Sequence, residues 1–187
     1  VRLKDLQRDL ASHGFYYPPV PTYQEAMLGG TVSTNAGGAA TFKYGVTRQW
    51  VRGLRGLLFN GELLVLERGQ AIARRGGRFR IRLSHGRELS VPVPAWRLPD
   101  LKKISAGYHS SDPLDLVDLF VGSEGTLGLI TEATVDLVPA PPAVFTGLVF
   151  PRDLEAAVAI AADLRAAATA ARSAGLASGP DVRAIEL

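Results

Sequence analysis

Leu119-Phe120-Val121-Gly122-Ser123-Glu124-Gly125-Thr126-Leu127-Gly128-Leu129-Ile130-Thr131-Glu132-Ala133 is the stretch on which the fold turns. Its glycines fall as G-x-x-G-x-x-G, and the apolar residues after them alternate as in a strand. A dinucleotide fingerprint spaces glycines G-x-G-x-x-G and opens a helix, so this is a different device. No Gly-Lys-Ser/Thr follows, which excludes a P-loop. Ser123 does not stand in a G-x-S-x-G elbow, and no His is placed to complete a triad. What remains is a tight turn rich in unobstructed backbone N–H groups, suited to a phosphate or a flat polar ring.

A second segment of the same kind lies upstream: Gly29-Gly30-Thr31-Val32-Ser33-Thr34-Asn35-Ala36-Gly37-Gly38, in which four of ten residues are Gly. It reads as a loop. Around these two segments the chain divides into short elements. Leu3, Leu6 and Leu10 predict a helix over 2–12, stopped by Gly14. Phe15 to Pro21 is aromatic and Pro-rich, hence an extended loop. Asn60-Gly61 between apolar runs predicts a hairpin over 51–66. Two further strands are expected around Ser84-His85-Gly86, and a short helical or turn segment over 114–120. Ile130 to Val138 reads as a strand. Pro139-Ala140-Pro141-Pro142 marks a boundary, because Pro cannot donate to a ladder and stiffens a linker. Beyond it, 144–150 reads as a strand. Leu154 to Arg172 reads as an Ala-rich helix with Leu154, Val158, Ala161 and Leu164 along one face. Pro180 to Leu187 would begin a further element.

Composition narrows the chemistry. The 187 residues are 47% hydrophobic and 21% charged, a globular balance. There is no Cys, which removes disulfides, thiol catalysis and Cys-ligated metals. His13, His85 and His109 lie far apart without ligand spacing, so no metal site and no catalytic residue are assigned. No apolar run approaches the roughly 18–20 residues that span a bilayer, and the expected location is cytoplasmic, with a peripheral membrane association left open. The chain opens Val1-Arg2-Leu3-Lys4 without Met, and is read as a piece of something longer. The net charge of +3 is concentrated between Arg68 and Lys103, which holds ten Lys or Arg against Glu88 and Asp100. A basic stretch of this kind could meet a polyanion. Arg78-Phe79-Arg80-Ile81-Arg82 alternates strictly, however, and predicts a half-buried strand with a solvated basic face. Nucleic acid is therefore not expected as a partner.

Taken together, the two Gly-rich segments, with Lys43-Tyr44-Gly45-Val46-Thr47-Arg48 between them, resemble the FAD-linked oxidases of the vanillyl-alcohol oxidase / p-cresol methylhydroxylase superfamily. The closest branch is the one holding the glycolate oxidase flavoprotein subunit, D-lactate dehydrogenase, D-2-hydroxyglutarate dehydrogenase and alkyl-dihydroxyacetonephosphate synthase. The resemblance implies an α+β fold. Residues 1–140 would be the second half of a PCMH-type FAD-binding domain, a mixed or antiparallel sheet with flanking helices. Residues 143–187 would be the first strand and helix of an α+β cap domain. It implies FAD contacts at Pro21, Thr22, Gly29, Gly30, Ser33, Thr34, Asn35, Ala36, Gly37, Gly38, Glu124, Gly125, Thr126, Leu127, Gly128, Leu129 and Ile130, made largely by backbone groups. Thr34 and Asn35 would bond flavin or phosphate oxygens. Glu124 would hold its loop by accepting backbone N–H bonds. Lys43, Tyr44 and Arg48 would stand near the flavin or pack the loop. The Pro-loop before Gly29 is about one residue shorter than the family's. The family's pyrophosphate loop would lie upstream, and its metal-binding His, acidic residues and catalytic base downstream. The implied substrate is a 2-hydroxy acid, with electrons passing to O2, a quinone or an electron-transfer protein. Two other readings stand beside this one: a non-catalytic fragment with a binding or scaffolding role, and polyanion binding through 68–103.

Overall fold

The computed structural model describes residues 1–101, 104–175 and 179–186. Helix α1 (Leu3–Ser12) ends at Gly14, whose φ of 77° only glycine adopts freely. The extended loop after it contains a two-residue strand, β1 (Phe15–Tyr16). Then come α2 (Leu28–Ser33), α3 (Thr41–Tyr44) and a 3-10 turn at Thr47–Trp50. The Asn60-Gly61 turn joins β2 (Val51–Leu57) to β3 (Leu63–Glu67) in register, Leu57 opposite Leu63 and Gly53 opposite Glu67. A short β4 (Ile72–Ala73) precedes the hairpin of β5 (Arg78–Arg82) and β6 (Glu88–Pro92). The segment predicted over 114–120 resolves into β7 (Leu114–Asp115) and α4 (Leu116–Phe120). Asp115 caps α4, accepting the Val117 N–H at 2.9 Å. The predicted strand after the second glycine segment is β8 (Leu129–Val135), followed by the two-residue β9 (Val138–Pro139).

The organising element is a three-stranded antiparallel sheet in the order β3-β2-β8. It brings residues more than seventy positions apart together, with Arg55 opposite Glu132 and Leu57 opposite Leu129. β1 pairs with β9, and β4 with β7. Leu54, Leu64, Leu66, Phe79, Ile81, Leu116, Val117, Phe120 and Val121 form one buried cluster between the sheet, the β5–β6 hairpin and α4. β5 alternates as its sequence predicts: Phe79 and Ile81 are buried while Arg78, Arg80 and Arg82 face solvent. On that face Glu88 stands opposite Arg82, so the basic stripe is partly offset. Its end at Lys102 and Lys103 lies outside the described residues.

Three expectations are corrected. Gly29 and Gly30 lie inside α2, not in a loop. Residues 144–150 form no strand. They run on from Pro142 with Phe145, Leu148 and Phe150 more than four-fifths exposed, because no strand among the described residues lies beside them. The Ala-rich helix α5 (Leu154–Ser173) forms, capped by Asp153 accepting the Ala156 N–H at 2.7 Å. Its predicted apolar face is nevertheless uncovered: Leu154, Val158 and Leu164 are exposed. The helix docks through its last turns instead, where Ala168 and Ala171 are buried and Arg172 donates to the Phe42 carbonyl at 3.0 Å. Residues 180–186 carry no regular element, and Leu187 lies outside the described residues.

Candidate cofactor-binding site

α2 is a poor helix by composition, since Gly-Gly followed by Thr-Val-Ser offers little propensity. Its side chains and its end compensate. Thr31 Oγ1 donates to Leu28 O at 2.8 Å and Thr34 Oγ1 to Gly30 O at 2.9 Å. At the C-terminus Asn35 adopts φ 48°, while Ala36 N–H reaches Thr31 O at 2.8 Å and Asn35 N–H reaches Val32 O at 3.1 Å. This pair of bonds is a Schellman motif with Asn in the left-handed position. The Asn35 side chain is fully buried and committed within the chain: Nδ2 donates to Ile104 O at 3.2 Å and Oδ1 accepts Arg48 N–H at 2.9 Å. Its amide, expected to meet the flavin, therefore orders the protein, as does the Thr34 hydroxyl.

The second glycine segment crosses the same helix end. Gly122 N–H donates to Val32 O at 3.0 Å and Glu124 N–H to Ser33 O at 2.8 Å. The second bond satisfies the Ser33 carbonyl, which the helix C-terminus leaves without a partner, and the first adds to the Asn35 N–H already on Val32 O. The turn needs left-handed backbone at Gly122, Glu124 and Gly125, with φ of 85°, 51° and 78°. Thr126 closes it, its N–H and Oγ1 both donating to Ser123 O, at 3.0 and 2.6 Å. Gly128 is fixed by close approach, because a Cβ there would stand 2.7 Å from Leu57 O. The two segments are thus one structure, the second capping the first.

The Pro-loop joins them. A Cβ on Gly38 would lie 2.0 Å from Val20 O and 3.1 Å from the Pro21 Cα, so Pro21 rests against Gly38. The structure brings Pro21, 29–38 and 122–130 into contact, with Ile130 and Leu127 packed on the core, and a Cβ built on Gly29 would lie 3.9 Å from Ile130 O. The outward surface of this assembly consists of Thr22, Gly30, Thr34, Glu124, Gly125, Thr126 and Leu129, all exposed. Nothing stands within 4 Å of a Cβ built on Gly30. Among the described residues the N–H groups of Gly37 and Gly125 have no partner within the chain. Among the described residues the Glu124 carboxylate accepts no N–H bond; the Glu124 N–H on Ser33 O and the Thr126 bonds to Ser123 O hold the loop where the Glu124 side chain was expected to.

Behind the assembly stands a cluster of charges. Arg48, in the 3-10 turn, is 11% exposed; it donates Nη2 to Val121 O at 2.7 Å and Nη1 to the Asp118 carbonyl. Arg68 grips the Asp118 carboxylate with two bonds of 2.9 and 3.0 Å and reaches Arg48 O at 3.0 Å. Burial pulls the Arg48 guanidinium down to about 10, against Asp118, which raises it. Burial likewise lowers His109, with Arg48 acting in the same direction. Asp118 and Arg68 carry no local motif, and only the pairing of distant elements reveals them. Lys43 and Tyr44 face elsewhere: Lys43 pairs with Asp181, and Tyr44 packs on Tyr16 and Trp50. A groove of about 1490 Å³ lies on that side, between α3 and α5, away from the glycine segments. Among the described residues no group of three or more His, Asp or Glu could hold a metal ion, and no helix is long and apolar enough to cross a membrane.

Comparison with known proteins agrees with this geometry. Residues 1–67 match the family described as FAD binding domain. The chain is 37% identical over 164 residues to the glycolate oxidase subunit GlcD of Bacillus subtilis (strain 168), covering 87% of this chain and 27% of that protein. It is 35% identical over 159 residues to a D-lactate dehydrogenase of Anaerostipes hadrus, covering 85% and 26%. It is 32% identical over 137 residues to a D-2-hydroxyglutarate dehydrogenase of Stutzerimonas stutzeri (strain A1501), covering 73% and 22%. The chain therefore spans about a quarter of the length of the curated relatives it matches. With its antiparallel sheets, few helices and joined glycine segments, the chain carries an FAD binding domain match over its first 67 residues and is similar, over most of its length, to a part of these oxidoreductases.

Proposed function

We propose that this chain supplies one wall of the flavin site in an enzyme that oxidises a 2-hydroxy acid such as D-lactate, glycolate or D-2-hydroxyglutarate. The observation that carries the reading is the pairing of the two glycine segments through Val32–Gly122 and Ser33–Glu124, which leaves a glycine-lined surface with free N–H groups. FAD fits such a surface: Gly30 leaves room for close approach, and the N–H groups of Gly37 and Gly125 are donors for carbonyl or phosphate oxygens. When bound, the flavin supplies hydride acceptance from the alcohol carbon.

In this reading Pro21, Thr22, Gly29, Gly30, Ser33 to Gly38 and Glu124 to Ile130 form the wall, chiefly by backbone. Asn35 and Thr34 hold its shape from within. Residues 1–140 are then the C-terminal part of the FAD-binding domain, and 143–187 begin the cap domain. The three relatives are named for glycolate, D-lactate and D-2-hydroxyglutarate, which supports the substrate class. An electron-transfer protein, a quinone or O2 would take the electrons.

The test is to purify the complete protein, reconstitute it with FAD and add each 2-hydroxy acid without oxygen. Bleaching of the visible flavin absorbance by at least one of them is expected. A flavin-loaded protein that none of them reduces would overturn the substrate class.

A further inference from the structure

Both glycine segments are tied to one residue, the first through its backbone and the second through its side chain. Arg48 donates its own N–H to Asn35 Oδ1 at 2.9 Å, which fixes it to the first segment. Its guanidinium donates to Val121 O at 2.7 Å and to the Asp118 carbonyl, which fixes it to the residues that lead into the second. Gly122 is crowded between the two, since a Cβ there would lie 3.1 Å from Arg48 Nη2 and 3.2 Å from the Asn35 Cβ. The neighbouring Thr47 adds its N–H and Oγ1 to Ala36 O, at 3.0 and 2.7 Å. Asp118 lies 3.8 Å from Arg48 Nη1 and is itself held by Arg68, so the guanidinium is oriented by a charge that is itself immobile.

We infer that Arg48 is a positioning residue of the cofactor site: it sets the spacing between the two glycine segments, while Asp118 and Arg68 fix its orientation. The inference rests on the flavin reading above. Two divergent N–H bonds from one planar fork cannot be reproduced by an ammonium, which is a point donor on a flexible stem. Charge alone is therefore insufficient, and a lysine would let the segments drift.

The experiment uses the complete, FAD-reconstituted protein and three variants. These are Arg48→Lys, Asp118→Asn and, as a control, Arg55→Ala, whose side chain is 60% exposed on the sheet's outer face. FAD affinity is read by fluorescence titration, and the flavin band shape and reduction potential are read at saturating FAD. Arg48→Lys should bind FAD at least tenfold more weakly, with an altered band shape and potential in the fraction that binds. A merely structural role would change stability and leave those two signatures alone. Asp118→Asn keeps the carbonyl bonds of Arg48 and should show the same changes to a smaller degree, about threefold in affinity. It decides the matter if Arg48→Lys does not fold. Arg55→Ala should behave as the parent. Affinity within twofold of the parent, with an unchanged spectrum and potential, in every folded variant of the pair overturns the inference alone. A parent that binds no FAD overturns the flavin reading and the inference with it.

Discussion

Gly38 and Gly30 are both glycines of one segment, yet they answer to different constraints. At Gly38 a Cβ would collide with Val20 O, a backbone atom that cannot rotate away. Gly38→Ala should therefore lower the melting temperature by several degrees, corresponding to about 1–3 kcal/mol of overpacking strain. At Gly30 the space is open and the backbone helical, so Gly30→Ala should leave stability unchanged or raise it by about 0.5–1 kcal/mol. Thermal melts of the two variants side by side check both statements. Tyr17 offers a test in pH. It is fully buried, and burial pushes its phenol up to about 12, with Thr47, close by but outside hydrogen-bonding geometry, pulling the other way. Because the folded value lies above the ordinary 10.0, its contribution is complete below pH 10 and is lost as pH rises through about 12. That is about 2–3 kcal/mol over the window. Urea melts from pH 9 to about 12 should show a shallower loss of stability for Tyr17→Phe than for the parent. At this scale the sequence was partly readable. Asn35 could be seen to tolerate left-handed backbone and to carry an amide, but its partners Arg48 and Ile104 are 13 and 69 residues away.

The elements divide by where their stability comes from. The β2–β3 hairpin and β5 were legible because Asn60-Gly61 and the strict Arg-apolar alternation are local signals. α2 was not, because its residues disfavour a helix, and bonds from Gly122 and Glu124, some ninety residues away, cap its end. Residues 144–150 failed in the opposite direction: the apolar pattern is present, but a strand also needs a neighbour. The Asp118–Arg68 pair ties the β3–β4 connection to α4, with side chains 14% and 22% exposed. Asp118→Ala leaves Arg68 and Arg48 without their counter-charge and should cost about 2–4 kcal/mol, read by urea melts. Asp153→Ala, which removes the side-chain cap of α5, should cost about 1 kcal/mol at most and leave the candidate cofactor site untouched.

Across the whole molecule, the sheet β3-β2-β8 is the device that makes the site. β8 follows the second glycine segment directly, and its pairing with β2 carries that segment to the end of α2. The order of the motifs along the chain, more than the glycine content, carried the assignment. What stayed hidden was how the motifs meet, since no local pattern records a contact between residues 32 and 122. The measurement that bears most directly on the account is FAD titration of the complete protein beside its Gly30→Leu variant. Nothing lies within 4 Å of a Cβ at that position, so the chain itself should tolerate the side chain. If the glycine segments face the cofactor, the variant melts like the parent yet binds FAD at least tenfold more weakly. A variant that folds and binds FAD as tightly as the parent would contradict the placement of the flavin against this wall.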